Sequence, residues 1–161
     1  MTPSRVRAYA PADAGALALI FHRAVQEGAA TVYDQAQRDG WSPALIETAA
    51  YARRLDGLRT LVAVDAAGRP IGFLTFDPAD HIDLLFVAPE RIGSGVAFAL
   101  YRAAVAEARA RGIARLTVEA SAQSHAFFLR QGWHETGERI VRGQGAAAIE
   151  NRMLAWDVTP D

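Results

Sequence analysis

Residues 82–100 carry the pattern that most limits what this chain can become. An apolar run over 82–87 passes through Ala88-Pro89 into Gly93-Ser94-Gly95, and a helical repeat starts immediately after. The run lacks strict alternation, which suits a strand covered on both faces. The glycines let the main chain come close to a ligand, and Ser94 adds a hydroxyl. The first turn of the helix would offer unbonded N–H groups and the positive end of its dipole at the same place. An anion such as a phosphate is the natural guest. A tight strand-to-helix turn with no ligand would use the same residues, so the rest of the chain has to decide.

Before this stretch, 4–10 alternates as a strand, with Val6 and Ala8 opposite Arg5, Arg7 and Tyr9. Pro11 and Asp13 open a helix over 14–29, with Leu17, Ile20, Phe21, Ala24 and Val25 at helical spacing. Residues 33–43 form a polar, partly helical connection holding Trp41, and 44–55 read as a further helix. Strands over 59–65 and 70–76 are joined by the hairpin signal Ala66-Ala67-Gly68-Arg69, and a strand over 81–87 follows. After the glycines come a helix stopped at Gly112, a strand over 113–120 and a short helix over 122–130. Strands over 133–141 and 147–158, split by Arg142-Gly143-Gln144-Gly145, complete the order. The pattern implies one α/β (α+β) domain over residues 1–161 with a mostly antiparallel first half, large enough to hold a core without staples.

Several function classes drop out. A formal net charge of −1 gives no general pull toward nucleic acid or anionic lipid. No apolar stretch approaches the roughly 20 residues of a membrane span, and the N-terminus lacks the apolar block of a signal peptide. The absence of cysteine rules out disulfides, thiol catalysis and cysteine metal sites. We expect a soluble cytoplasmic protein. Every long basic residue is arginine, which reads as the base composition of a GC-rich bacterial genome and carries no chemistry. His22, His81, His125 and His134 do not form a short-spaced ligand cluster, so no metal is expected. Ser94 lies in Gly-Ser-Gly without the Gly-x-Ser-x-Gly elbow of a serine hydrolase.

The order of elements, with the glycine loop after the fourth strand, resembles the GNAT superfamily of acyl-CoA-dependent N-acetyltransferases. The family's phosphate loop, Val-x-Pro-x-x-Arg/Gln-Gly-x-Gly-x-Gly/Ala-x-x-Leu, is met by Val87, Pro89, Gly93, Ser94, Gly95, Val96, Ala97 and Leu100, while Ile92 stands where Arg or Gln is usual. A second motif, Asn-x-x-Ala-x-x-Phe-Tyr-x-x-x-Gly-Phe, is met by Phe127, Gly132 and Trp133. There Ser121 and Ser124 replace Asn and Ala, and Phe128 takes the tyrosine position. Glu119-Ala120-Ser121 and the paired phenylalanines resemble a set of small single-domain bacterial members.

The resemblance implies a central mixed sheet of about seven strands with about four helices, its fourth and fifth strands splayed. It implies acetyl-CoA as co-substrate and a small-molecule or peptide amine as acceptor. Main-chain contacts to the coenzyme fall to Phe86 and Val87. Gly93, Ser94, Gly95, Val96, Ala97 and Arg91 would hold its phosphates, with Ser121, Ser124, Phe127 and Phe128 beside it.

For the general base, His81 and Asp83 alternate onto one face of the fourth strand, with Val87 in the same phase. His81 sits six residues before Val87, where several family members carry a catalytic glutamate, and Glu119 is a third candidate. Phe128 cannot donate a proton to the leaving sulfur, which leaves Ser121, Ser124, His125 or water for that role. His22, Trp41, Phe76 and the turn Arg142 to Gly145 are the candidate acceptor walls. Homodimerisation stays open. The departures at Ile92 and Phe128 also leave open a non-catalytic acyl-CoA-binding or sensing domain.

Overall fold

The computed structural model describes residues 4–159. Seven strands form one sheet in the order β1-β2-β3-β4-β5-β7-β6. They are β1 (Arg5–Ala8), β2 (Arg59–Val64), β3 (Pro70–Phe76), β4 (His81–Val87), β5 (Arg115–Ala120), β6 (His134–Arg142) and β7 (Ile149–Asp157). Every neighbouring pair is antiparallel except β4 and β5. The mixed sheet is the one the sequence implied.

Five α-helices accompany it, one more than expected: α1 (Ala14–Arg23), α2 (Gln35–Trp41), α3 (Thr48–Leu55), α4 (Val96–Ala110) and α5 (His125–Arg130). The helix expected over 14–29 is α-helical only to Arg23 and then widens into a π turn, Ala24–Gly28. The helix expected over 44–55 begins at Thr48, because the Glu47 carboxylate accepts from the Ala49 and Ala50 N–H groups and caps it. The extra helix, α2, is capped by Asp34, whose carboxylate accepts from the Gln37 N–H while the Gln37 side chain accepts from the Asp34 N–H. No helix among the described residues is long and apolar enough to cross a membrane.

Alternation along β2, β3 and β4 sends side chains to two cores. Leu61, Leu74, Phe76 and Ile82 pack beneath α4 with Val96, Leu100 and Tyr101. Val62, Val64, Phe73 and Leu84 pack beneath α1 and α3 with Leu17, Phe21 and Tyr51. Two bulges set the phase. Ala63 pairs with Gly72 but Val64 with Pro70, leaving Ile71 as the extra residue. Thr75 pairs with Leu84 but Phe76 with Ile82, leaving Asp83 as the extra residue.

The helix that carries the glycine loop sits against β3 because Gly72 has no side chain. A Cβ there would lie 2.9 Å from Val96 Cγ1, 3.1 Å from the Phe86 carbonyl oxygen and 3.3 Å from Leu100 Cδ1. Gly72→Ala is therefore expected to destabilise the fold by about 1–3 kcal/mol through overpacking. Denaturant unfolding checks this, and an unchanged midpoint would mean that α4 is not held at this distance.

Candidate active site

The parallel pair β4 and β5 is joined only at its start, where His81 pairs with Thr117 and Ile82 with Val118. Beyond that point the strands diverge, while β3 stays paired to β4 as far as Val87. The other edge of β4 therefore lines an open split. Ala88 N–H donates to the Ile71 carbonyl at 2.9 Å. Antiparallel alternation then turns the Leu84 and Phe86 main-chain groups toward β3, and those of Leu85 and Val87 into the split. The register thus turns the main chain of Leu85, and not that of the expected Phe86, toward the split beside Val87. The Phe86 ring instead faces the α1 side, edge-on to Phe21 at 5.0 Å and to Trp41 at 5.9 Å. An extended polar chain can add to such an edge as an extra strand.

At the end of β4 a short turn, Pro89–Arg91, leads into the glycine loop. Gly93 and Gly95 have φ of 78° and 88°, the left-handed region that a side chain would strain. The first bond into the helix runs from Ala99 N–H to the Gly95 carbonyl at 2.9 Å, so the Val96, Ala97 and Phe98 N–H groups have no intrahelical acceptor. Arg23 pairs with Glu27 and Glu90 and anchors the turn to α1. The Ser94 hydroxyl donates to the Arg91 carbonyl at 2.5 Å, so its proton braces the loop. Ile92 is exposed and reaches over Gly28, where a Cβ would come within 3.1 Å of its Cδ1.

The split is part of a groove of about 780 Å³. Of the residues singled out from sequence, it brings together His81, Asp83, Phe86, Val87, Arg91, Gly93, Gly95, Val96, Ala97, Glu119, Ser121, Ser124, Phe127, Phe128 and Trp41. Arg142 and Gly143 of the expected acceptor turn also line it, and it adds Arg54, Leu85, Phe98, Arg130 and Asn151, which sequence reasoning did not select. His22 and Phe76 do not line it. The His22 Nδ1 is 2.7 Å from the Ser42 hydroxyl and ties α1 to the end of α2. Phe76 is 1% exposed in the core beneath α4, because its strand phase points away from the acceptor side.

His81 Nδ1 lies 2.8 Å from Thr117 Oγ1 across the only paired part of β4 and β5, which fixes the ring. Ile82 and Val87 belong to the α4 face and Leu84 to the α1 face. The bulge at Asp83 therefore separates His81 from the phase of Val87, which corrects the expected alignment of those two. Asp83 accepts no hydrogen bond and forms no ion pair among the described residues, and its charge reaches the buried Tyr51 hydroxyl. Glu119 accepts from Arg142 Nε and Nη2 at 3.0 and 2.7 Å and from Asn151 Nδ2 at 2.8 Å. The Arg142 hydrogen bonds hold its carboxyl below the usual range against the opposing effect of burial, and Asn151 adds to them. So engaged, Glu119 is a poor proton acceptor near neutrality.

Phe128 is 1% exposed, its ring 5.0 Å from Trp133 and 5.4 Å from Phe127. The Ser121 and Ser124 hydroxyls are 3.2 Å apart in the groove wall. His125 instead holds Glu135 at 2.6 Å and is not part of that wall. Among the described residues no group of three or more His, Asp or Glu side chains could hold a metal ion.

With this geometry in view, a family model described as an acetyltransferase (GNAT) domain matches residues 27–152. An uncharacterized N-acetyltransferase of Escherichia coli K12, YafP, is 33% identical over 146 residues, 91% of each chain. The crystal structure of a GCN5-related N-acetyltransferase from Rhodopseudomonas palustris superposes with a TM-score of 0.87 at 32% identity, covering 98% of this chain and 97% of that one. A phosphinothricin acetyltransferase from Sinorhizobium meliloti, solved with acetyl-CoA, shares the fold with a TM-score of 0.77 at 19% identity, over 98% and 89% of the two chains.

The Arg142–Glu119 pair predicts a pH-dependent stability term. A carboxyl depressed in the folded state stabilises it above the unfolded-state pKa, and that contribution is lost as pH falls through the depressed value. Because Arg142 is largely exposed, Arg142→Gln should cost no more than about 1 kcal/mol at neutral pH. The difference from the unmutated protein should shrink as pH is lowered below about 4, read by urea unfolding at several pH values. A difference constant with pH would show that the pair does not hold the Glu119 proton equilibrium.

Proposed function

Because the chain belongs to the GNAT acetyltransferase family, we propose that it moves the acetyl group of acetyl-CoA to a primary amine by direct attack on the thioester. The observation that carries this reading is the one-sided split of β4 from β5, with main-chain groups of Leu85 and Val87 facing it and the amides of the glycine loop at its end. These residues fit a pantetheine arm and its pyrophosphate. When bound, acetyl-CoA supplies the activated acyl group.

The chain's own residues divide the remaining work. The Val96, Ala97 and Phe98 N–H groups, with Arg91 and Arg130, meet the phosphate charge at the positive end of α4. Leu85 N–H is placed to donate to the acyl oxygen as it becomes an oxyanion. In the tautomer whose Nδ1 donates to Thr117 Oγ1, His81 keeps the Nε2 lone pair for the proton of the acceptor ammonium, directly or through water. The amine nitrogen then bonds to the acyl carbon as the C–S bond breaks. The nitrogen sheds its second proton as the amide forms and the thiolate gains one through Ser121, Ser124 or water acting as a relay, so the net release is one proton to solvent per turnover. A thiol of pKa about 8.5 is a tolerable leaving group, so Phe128 slows the step without forbidding it. The protein acts in the cytoplasm, and whether it dimerises does not enter the mechanism.

Acetyl-CoA should raise the melting temperature, and thiol release across an amine panel should identify turnover. His81→Ala should lower kcat by about 10²–10⁴ while leaving acetyl-CoA stabilisation in place. Stabilisation by the coenzyme without transfer to any amine would favour the sensing domain, and no stabilisation would remove both readings. If His81→Ala leaves kcat intact, the proton acceptor is Asp83 or water.

A further inference from the structure

Two opposite charges at the acceptor end of the groove are left without partners. Arg54, on α3, lines the groove with its guanidinium 5.3 Å from the Phe21 ring centre and 5.9 Å from that of Tyr51. These rings fix its orientation while leaving its N–H fork without a carboxylate. Asp83, at the bulge of β4, lines the same groove and makes no ion pair with Arg54 or any other described residue. Both charges act on the buried Tyr51 hydroxyl: burial pushes its pKa up, Arg54 opposes that shift and Asp83 reinforces it. By contrast, Arg142 and Glu119 at this end pair with each other.

The acceptor end is also roofed. Gln37 Nε2 donates to the Ala148 carbonyl at 3.1 Å, joining α2 to the turn before β7. Gly40 is pressed so closely on that turn that a Cβ would lie 2.6 Å from the Ala147 Cβ. An extended chain has no passage between α2 and this turn, which favours a small acceptor over a peptide.

We propose that the acceptor is a small amino carboxylate of the amino-acid type, its ammonium on the Asp83 side next to His81 and its carboxylate on the Arg54 fork. This rests on the acetyl-transfer reading above and adds the substrate class to it. Arg54 is a specificity residue that binds without taking part in the proton transfers. A bidentate guanidinium recognises a carboxylate and gives no such pair of bonds to the corresponding amide.

The test uses the full chain with saturating acetyl-CoA and measures thiol release for a set of α- and β-amino acids. Each is compared with its own amide and its decarboxylated amine, and a free tetrapeptide is included. The expected result is a kcat/KM at least about tenfold higher for one or more of the acids than for their amides, equivalent to about 1.4 kcal/mol. Arg54→Gln should bring that ratio toward one through KM, and Arg54→Lys should retain part of it. Amides, simple amines or the tetrapeptide reacting as well as the acids would overturn the proposal, as would a ratio unchanged in Arg54→Gln. Thiol release from none of them, with acetyl-CoA still raising the melting temperature, would instead remove the acetyl-transfer reading and this inference with it.

Discussion

The structure depends on how briefly β4 and β5 pair. Two residue pairs hold them together, and the divergence that follows leaves one edge of a central strand with main-chain groups facing a cleft. An exposed strand edge inside a sheet is costly unless something adds to it, and here the divergence ends at a loop whose amides are also unmatched. Strand edge and helix start line one groove, so a single extended molecule with an anionic end can satisfy both.

The two flanking cores keep that line in place. Beneath α4, the missing side chain at Gly72 brings the helix close to β3 and fixes where its first turn lies. Beneath α1 and α3, Phe21, Phe73, Phe86 and Trp41 form a connected aromatic wall on the other side of the sheet. The bulge at Asp83 decides which residues serve which side. It puts Leu84 and Phe86 against the aromatic wall, turns Leu85 and Val87 main-chain groups into the split, and leaves the Asp83 carboxylate unpaired next to His81.

Much of this was legible in the sequence, and what was not has local causes. The strand over 81–87 and the helix after Gly95 were readable because an uninterrupted apolar run and a sustained helical repeat are strong signals, and the glycines between them mark positive φ. The bulge was not, since simple alternation has no term for an extra residue, and so Phe86 stood for Leu85 and Val87 was aligned with His81. Arg54 was missed because an arginine near the end of a polar helix looks like any solvated charge until Phe21 and Tyr51 are seen beneath it. Phe76 was selected for its aromatic character, yet strand phase sends it into the core. Ser94 was selected for its hydroxyl, and a turn three residues long lets that hydroxyl reach back to the Arg91 carbonyl, a bond that sequence alone does not reveal.

Amide hydrogen exchange, resolved by residue and measured with and without acetyl-CoA, tests the central claim most directly. Leu85 and Val87 on the free edge of β4, together with Val96, Ala97 and Phe98, should gain protection on adding the coenzyme, while Leu84 and Phe86, already bonded to β3, change little. Protection confined to other parts of the surface, or none in the split despite binding, would contradict the account.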